Sequence, residues 1–250
     1  MNQTNTDYFR NRRSVRAFRG EAPSRELIDN ILRDAMRAPN TGNKQLYSAV
    51  VTRDPARLEA LRPAHFSQPA SQAPVLVTVC ADVRRFERWC EVSDAVPQFR
   101  NLQGLTAAVI DAAIYAQQII TIAEMQGLGT CWLGTTTYNA PEIAAALKLP
   151  QGVVPVGCIA IGWPDGQPAQ CERLPLRAVV YEEEYPEFCD EEIKELYRAK
   201  DDFAENAKFV AENGKQTLAQ VFTDVRYPAS TSEPFSAKFR QYLTDAGFRL

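Results

Sequence analysis

At 250 residues, with 45% apolar and 24% charged residues, the chain has the composition of an ordinary globular protein and enough length to bury a full core. A net charge of -3 argues against a broad nucleic-acid surface, which needs a basic domain. One histidine, His65, and six cysteines with no C-x-x-C spacing leave most histidine metal sites, zinc ribbons and thioredoxin-type pairs unsupported. Most of the cysteines read as core thiols of a reducing, cytoplasmic protein, and the N-terminal charges lead into no apolar secretory stretch.

The first nineteen residues hold five arginines: Arg10, Arg12, Arg13, Arg16 and Arg19, offset locally by Asp7 alone. A basic run on an acidic chain needs a local reason. Guanidinium groups match phosphate oxygens, so a bound phosphate competes here with solvated arginines on an N-terminal helix. Ser24 can cap a helix to about Arg37, with Leu27, Ile28, Ile31, Leu32 and Ala35 on one face. Asn40 to Asn43 read as a turn, and residues 47–53 as a strand. Asp54-Pro55 opens a short helix to Leu61, and His65 falls in a loop after it. The apolar run 75–80 reads as a buried strand.

Residues 105–126 form a long helix, apolar around most of its circumference and therefore buried. It is not a membrane span, because Asp111, Gln117, Gln118 and Glu124 break the apolar run. Gly127 stops it, and Gly127 to Gly134 lead into a strand; a dinucleotide loop would follow a strand and open a helix. A short helix starts at Asn139-Ala140-Pro141 and ends before Pro150, and a strand follows at 153–162. After Tyr181 the chain turns acidic; 190–213 reads as one polar helix, broken by Gly214, and a last helix spans 235–246.

Several of these segments share an order. Arg12-Arg13-Ser14-Val15-Arg16-Ala17-Phe18, then Ala38 to Gln45, then Gly127 to Gly134, then Leu149-Pro150, Val153 to Gly162, Trp163-Pro164 and Arg173-Leu174-Pro175 follow one another as in a known family. Together they resemble the FMN-dependent nitroreductases, in the longer branch that includes the major oxygen-insensitive nitroreductases and flavin reductases. The resemblance implies an α+β fold, a mainly antiparallel sheet surrounded by helices, in an interlocked homodimer. Residues 1–185 would be the FMN-binding core. Residues 186–250 would be a C-terminal extension packing on the core or the partner subunit.

The resemblance also implies residue roles. Arg12, Arg13, Ser14 and Arg16 match the motif that holds the FMN phosphate and ribityl chain, and Arg173 a basic residue near that phosphate. Cys171 stands where the branch often has a lysine. Asn40, Thr41, Asn43 and Gln45 match a segment bordering the flavin from the other subunit. Trp132, Leu133 and Gly134 match the strand over one ring face, and Gln68 is the candidate for the pyrimidine edge. NADPH or NADH would be the electron donor, and a small aromatic, a quinone or free flavin the acceptor, with flavin N5 and no side chain as the reacting centre. The branch's arginine-rich loop for the NADPH 2′-phosphate is here Glu212 to Thr217, with Lys215 its only cation. Azo or enone reduction, a dehydrogenase and a non-enzymatic flavin carrier are the alternatives on the same fold.

Overall fold

The computed structural model describes residues 5–250. Four strands form one antiparallel sheet: β1 (Tyr47–Thr52), β2 (Val75–Asp82), β3 (Gly129–Leu133) and β4 (Val153–Gly162), in the order β1-β2-β4-β3. Ten helices accompany them among the described residues. They are α1 (Asn5–Asn11), α2 (Arg25–Ala35), α3 (Pro55–Leu61), α4 (Arg84–Glu91), α5 (Leu102–Met125), α6 (Ala140–Leu147), α7 (Asp190–Asp201), α8 (Ala204–Glu212), α9 (Leu218–Val221) and α10 (Ala229–Asp245). One compact unit runs to Pro168 and takes in Phe235–Leu250; the other is Ala169–Pro234.

In the first unit, strand parity sorts the core. Val75, Val77, Val79, Ile159 and Ile161 face α2 and α5, meeting Ile28, Ile31, Ala112, Tyr115, Ile119 and Ala123. Leu76, Cys158 and Ala160 face the other way, with Leu58 and Leu61 of α3 and with Cys131 and Leu133 of β3. A third cluster joins Leu46, Ala81, Leu105 and Val154 to Leu243, Ala246 and Phe248, and so sets the end of α10 into this unit. With both faces covered, β2 is buried at every residue, as its unbroken apolar run anticipates.

The caps that the sequence displays are made: Ser24 Oγ accepts the Leu27 N–H at 3.1 Å, and Asp54 accepts that of Arg57 at 3.0 Å. Helix α5 starts at Leu102, three residues before its expected start, because Asn101 caps it through the Gly104 N–H at 2.8 Å. By length and hydropathy α5 could span a membrane, yet ten of its residues are buried in this unit. Its buried Asp111 fastens a neighbouring turn. Oδ1 accepts both the N–H and the hydroxyl of Thr41 at 2.8 Å, and Oδ2 the Leu46 N–H at 3.3 Å. The polar helix expected over 190–213 is two, parted near Phe203, where the Asn206 amide donates to the Lys200 carbonyl at 2.8 Å. The last helix begins at Ala229 and carries Pro234 inside it.

Candidate active site

The arginine run is not a helical face. Helix α1 ends at Asn11, and the chain then lies along the free edge of β3. Val15 N–H donates to Thr130 O at 2.8 Å, Phe18 pairs with Pro164, and Arg19 N–H donates to Trp163 O at 2.9 Å. Gly129 makes this approach possible, since a Cβ there would fall 2.7 Å from the Val15 side chain.

Docking this segment distributes the guanidinium groups. Arg12 Nη2 lies 3.4 Å from Glu124 Oε1 near the end of α5, and its Nη1 lies 3.4 Å from Ser14 Oγ. Glu124 also accepts the Tyr8 hydroxyl at 2.7 Å and the Thr130 hydroxyl. Burial, then the bond to Glu124, raises the Tyr8 phenol above its ordinary range. Arg13 donates from Nη1 to Pro168 O at 3.2 Å, while its buried Nε has no partner. Arg16 is exposed. Burial pushes the Cys131 thiol up, and the charges of Arg16 and Arg12 oppose that shift.

Beside them, Trp132 keeps 38% of its surface exposed, and its indole covers Gly157 on β4; a Cβ there would fall 1.9 Å from the ring. The Leu133 side chain is fully buried in the opposite layer, so Leu133 can serve a ligand only through its backbone. Gly134 is exposed and opens a short helical turn. Thr135 in that turn anchors two side chains, one of them the expected Gln68. Gln68 Nε2 donates to its hydroxyl at 3.2 Å, and His65 Nδ1 lies 3.1 Å from the same oxygen. His65 is fully buried with an unpartnered Nε2, and burial lowers its pKa to about 4. Phe66, in the left-handed region at φ 55°, stands half exposed against Tyr138 and Phe235, whose rings stack at 4.9 Å.

The structure thus brings Arg12, Arg13, Ser14, Arg16, Trp132, Leu133, Gly134 and Gln68 to the β3 side of the sheet. Asn40, Thr41, Asn43 and Gln45 lie elsewhere, in a turn at the opposite edge, before β1. Asn43 and Gln45 both have positive φ, at 53° and 52°. The turn is held by Asp111, by Asn40 Oδ1 accepting the Gln45 N–H at 3.0 Å, and by Arg85 Nη2, which donates to the Tyr47 carbonyl at 3.0 Å. Arg173 belongs to the second unit, is exposed, and donates to the Glu172 carbonyl at 2.8 Å. The sequence reading did not single out Glu124, Tyr8, Thr135 or the Phe66 ring group. Of these only Glu124 carried a signal: it is an acid on an otherwise apolar helix, near its end.

Comparison with known proteins gives this geometry a context. The nitroreductase family model matches residues 9–163. The chain is 28% identical over 247 residues to the FMN reductase (NAD(P)H) of Bacillus subtilis (strain 168), covering 95% of each chain. It is 32% identical over 174 residues to the oxygen-insensitive NADPH nitroreductase of Salmonella typhimurium, covering 69% of this chain and 71% of that one. A crystal structure of a Bacteroides fragilis protein superposes with a TM-score of 0.95 at 42% identity, covering 98% of this chain and all of the other. With the motif order, the sheet and the seated arginine segment in agreement, the chain belongs to the nitroreductase family.

Proposed function

We propose that the protein is an FMN-dependent NAD(P)H oxidoreductase that reduces nitroaromatics, quinones or free flavin. The observation that carries this reading is the arginine segment seated beside the exposed Trp132 and Gly134. There a buried, partnerless Arg13 Nε and an exposed Arg16 offer donors to an anion. These groups fit a phosphate monoester, and the β3 edge fits a flat ring lying along it. When bound, FMN supplies a carrier that takes two electrons from NAD(P)H and yields them to an acceptor.

The residues divide that work. Arg12, Arg13, Ser14 and Arg16 hold the phosphate and ribityl end, the backbone of Leu133 and Gly134 faces the ring, and Gln68, fixed by Thr135, meets its polar edge. Phe66, Tyr138 and Phe235 flank the ring's open side. His65, neutral and buried, supplies no proton. Donor and acceptor share one open face, so the oxidised nicotinamide leaves before the acceptor enters, a ping-pong order.

The second half of the cradle comes from a partner chain. Three strand spacings, roughly 14 Å, separate the β1 edge from the β3 edge, so one ring cannot touch both edges of the same subunit. In a two-fold dimer, the Asn40–Gln45 turn of one chain serves the β3 edge of the other. Helix α5 offers exposed Leu102, Ile110 and Met125 for such an interface. The chain beyond residue 185 serves as an extension toward the core or the partner, and its end, through Leu243 and Phe248, is set in the core. The six free thiols suit a reducing, cytoplasmic setting.

The test is anaerobic titration of the purified protein. It should carry FMN, bleach rapidly with NADH or NADPH, and recover colour with a quinone or nitroaromatic. Steady-state rates should give parallel double-reciprocal lines. A protein that takes up no FMN, or whose FMN is not bleached, overturns the proposal.

A further inference from the structure

His65 and Gln68 close on one hydroxyl, that of Thr135, and each group in the trio has a fixed number of protons and lone pairs to give. Gln68 Nε2 donates to the His65 carbonyl and to Thr135 Oγ1, both at 3.2 Å. Both of its N–H groups are spent inward, so Oε1 is the atom the side chain has left to offer. His65 is wholly enclosed, with Nδ1 3.1 Å from the same hydroxyl and Nε2 without a partner. The neutral ring carries one proton. On Nε2 it would be a buried N–H with no acceptor, which folded proteins tolerate less than an idle lone pair. On Nδ1 it bonds Thr135. Thr135 Oγ1 then accepts from two sides, and its own O–H is left to donate outward. Thr135 and Gln68 are both half-buried, so neither is closed off by the core. The link between His65 and Gln68 is held against its preference. Phe66 and Ser67 are successive non-glycine residues in the left-handed region, at φ 55° and 47°. Such backbone persists where its surroundings over-determine it, and here the enclosed ring and the Thr135 bond stand at its two ends.

We infer that Thr135 and Gln68 present the ligand with a paired donor and acceptor, an O–H beside Oε1, and that His65 is the positioning residue that sets this polarity. The pair complements an imide edge, a ring carbonyl next to a ring N–H, which is what the pyrimidine end of a flavin carries. This rests on the FMN reading and deepens it, by assigning what the protein donates and what it accepts at that edge. His65 acts by placement, through the Thr135 hydroxyl, and moves no proton.

His65 is the chain's only histidine, so isotopic nitrogen labelling of histidine gives the magnetic resonance signal of this ring alone. In the FMN-loaded protein at pH 7 the proton should be found on Nδ1. A second measurement compares FMN with FMN methylated at N3, which lacks the imide N–H, by fluorescence quenching on the full-length protein stripped of flavin. The ratio of the two affinities cancels any general loosening of the fold. Wild type should prefer FMN roughly tenfold or more, the worth of one hydrogen bond. Gln68→Ala should bring the two flavins to near parity. His65→Leu should lower the preference severalfold, and His65→Asn, whose amide N–H can take the place of Nδ1–H, should restore most of it. Thr135→Val should weaken FMN itself about tenfold, whereas Thr135→Ser should hold it.

A proton on Nε2 would overturn the inference, because Thr135 would then spend its O–H on His65. Equal affinity of the wild type for the two flavins would overturn it as well, as would an unchanged ratio in His65→Leu or unchanged FMN affinity in Thr135→Val. Each of these leaves the FMN reading intact. Wild-type protein that takes up neither flavin would instead remove that reading, and the inference with it.

Discussion

His65 is fully buried and meets a hydroxyl, with no carboxylate to hold its proton. Burial disfavours the imidazolium and brings the pKa down from 6.5 to about 4. The folded state therefore holds this ring neutral where the unfolded chain would protonate it. Its contribution is complete above pH 6.5 and is lost as pH falls toward 4. That window is worth about 3 kcal/mol at 1.36 kcal/mol per pKa unit. Urea unfolding at pH 7 and pH 4.5 should show a stability difference between wild type and His65→Gln that shrinks by most of this amount. Turnover of His65→Gln should stay within about tenfold, since an essential general acid contributes roughly 10²–10⁴-fold. The sequence marked His65 as a loop residue without catalytic duty; its burial against Thr135 was not legible, because 70 positions separate the two.

At the scale of elements, patterns carried by one segment were readable and those needing a second segment were not. Helix α5 announced itself by its apolar circumference, while its start waited on an asparagine cap, Asn101, that no period reveals. Helix α4 was missed because its run, Arg84-Arg85-Phe86-Glu87-Arg88-Trp89-Cys90-Glu91, is mostly charged, and its start is marked by Asp82, whose Oδ1 accepts the Arg85 N–H at 3.2 Å. The match of Trp132 to Gly157 is a cross-strand fit and lay beyond a linear reading. It gives a prediction: Gly157→Ala should push the indole off β4, costing about 1–3 kcal/mol of stability as overpacking does. The same substitution should shift tryptophan fluorescence and weaken flavin binding. Unchanged emission and affinity would show that the indole does not depend on that bare backbone.

For the whole molecule, the motif order made the family legible, and with it the sheet, the core and the candidate residues of the β3 edge. The resemblance also implied that the Asn40–Gln45 segment borders the flavin of the other subunit, and the placement of that turn before the opposite edge strand supports this reading. The second unit bears on the nucleotide donor. Lys215 donates to Asp224 Oδ2 at 2.9 Å, which engages its charge within the unit. NADH and NADPH should therefore be used with less than about tenfold preference, roughly 1.4 kcal/mol. A kcat/KM ratio of about 100 or more in favour of NADPH, roughly 2.8 kcal/mol, would contradict this. Sedimentation should give twice the 28.0 kDa chain mass, and a value of one chain mass would rule out the shared cradle.

The separation of the two edges has a genetic consequence. A chain damaged at Arg13 and a chain damaged at Asn40 should each be inactive in a pure population. Mixed within one dimer, they would gather both lesions into one cradle and leave the other wholly intact. Co-expression with random pairing should then restore about a quarter of the wild-type sites. Two null alleles would complement each other within a single gene, and failure of that complementation would mean that each chain builds its cradle alone.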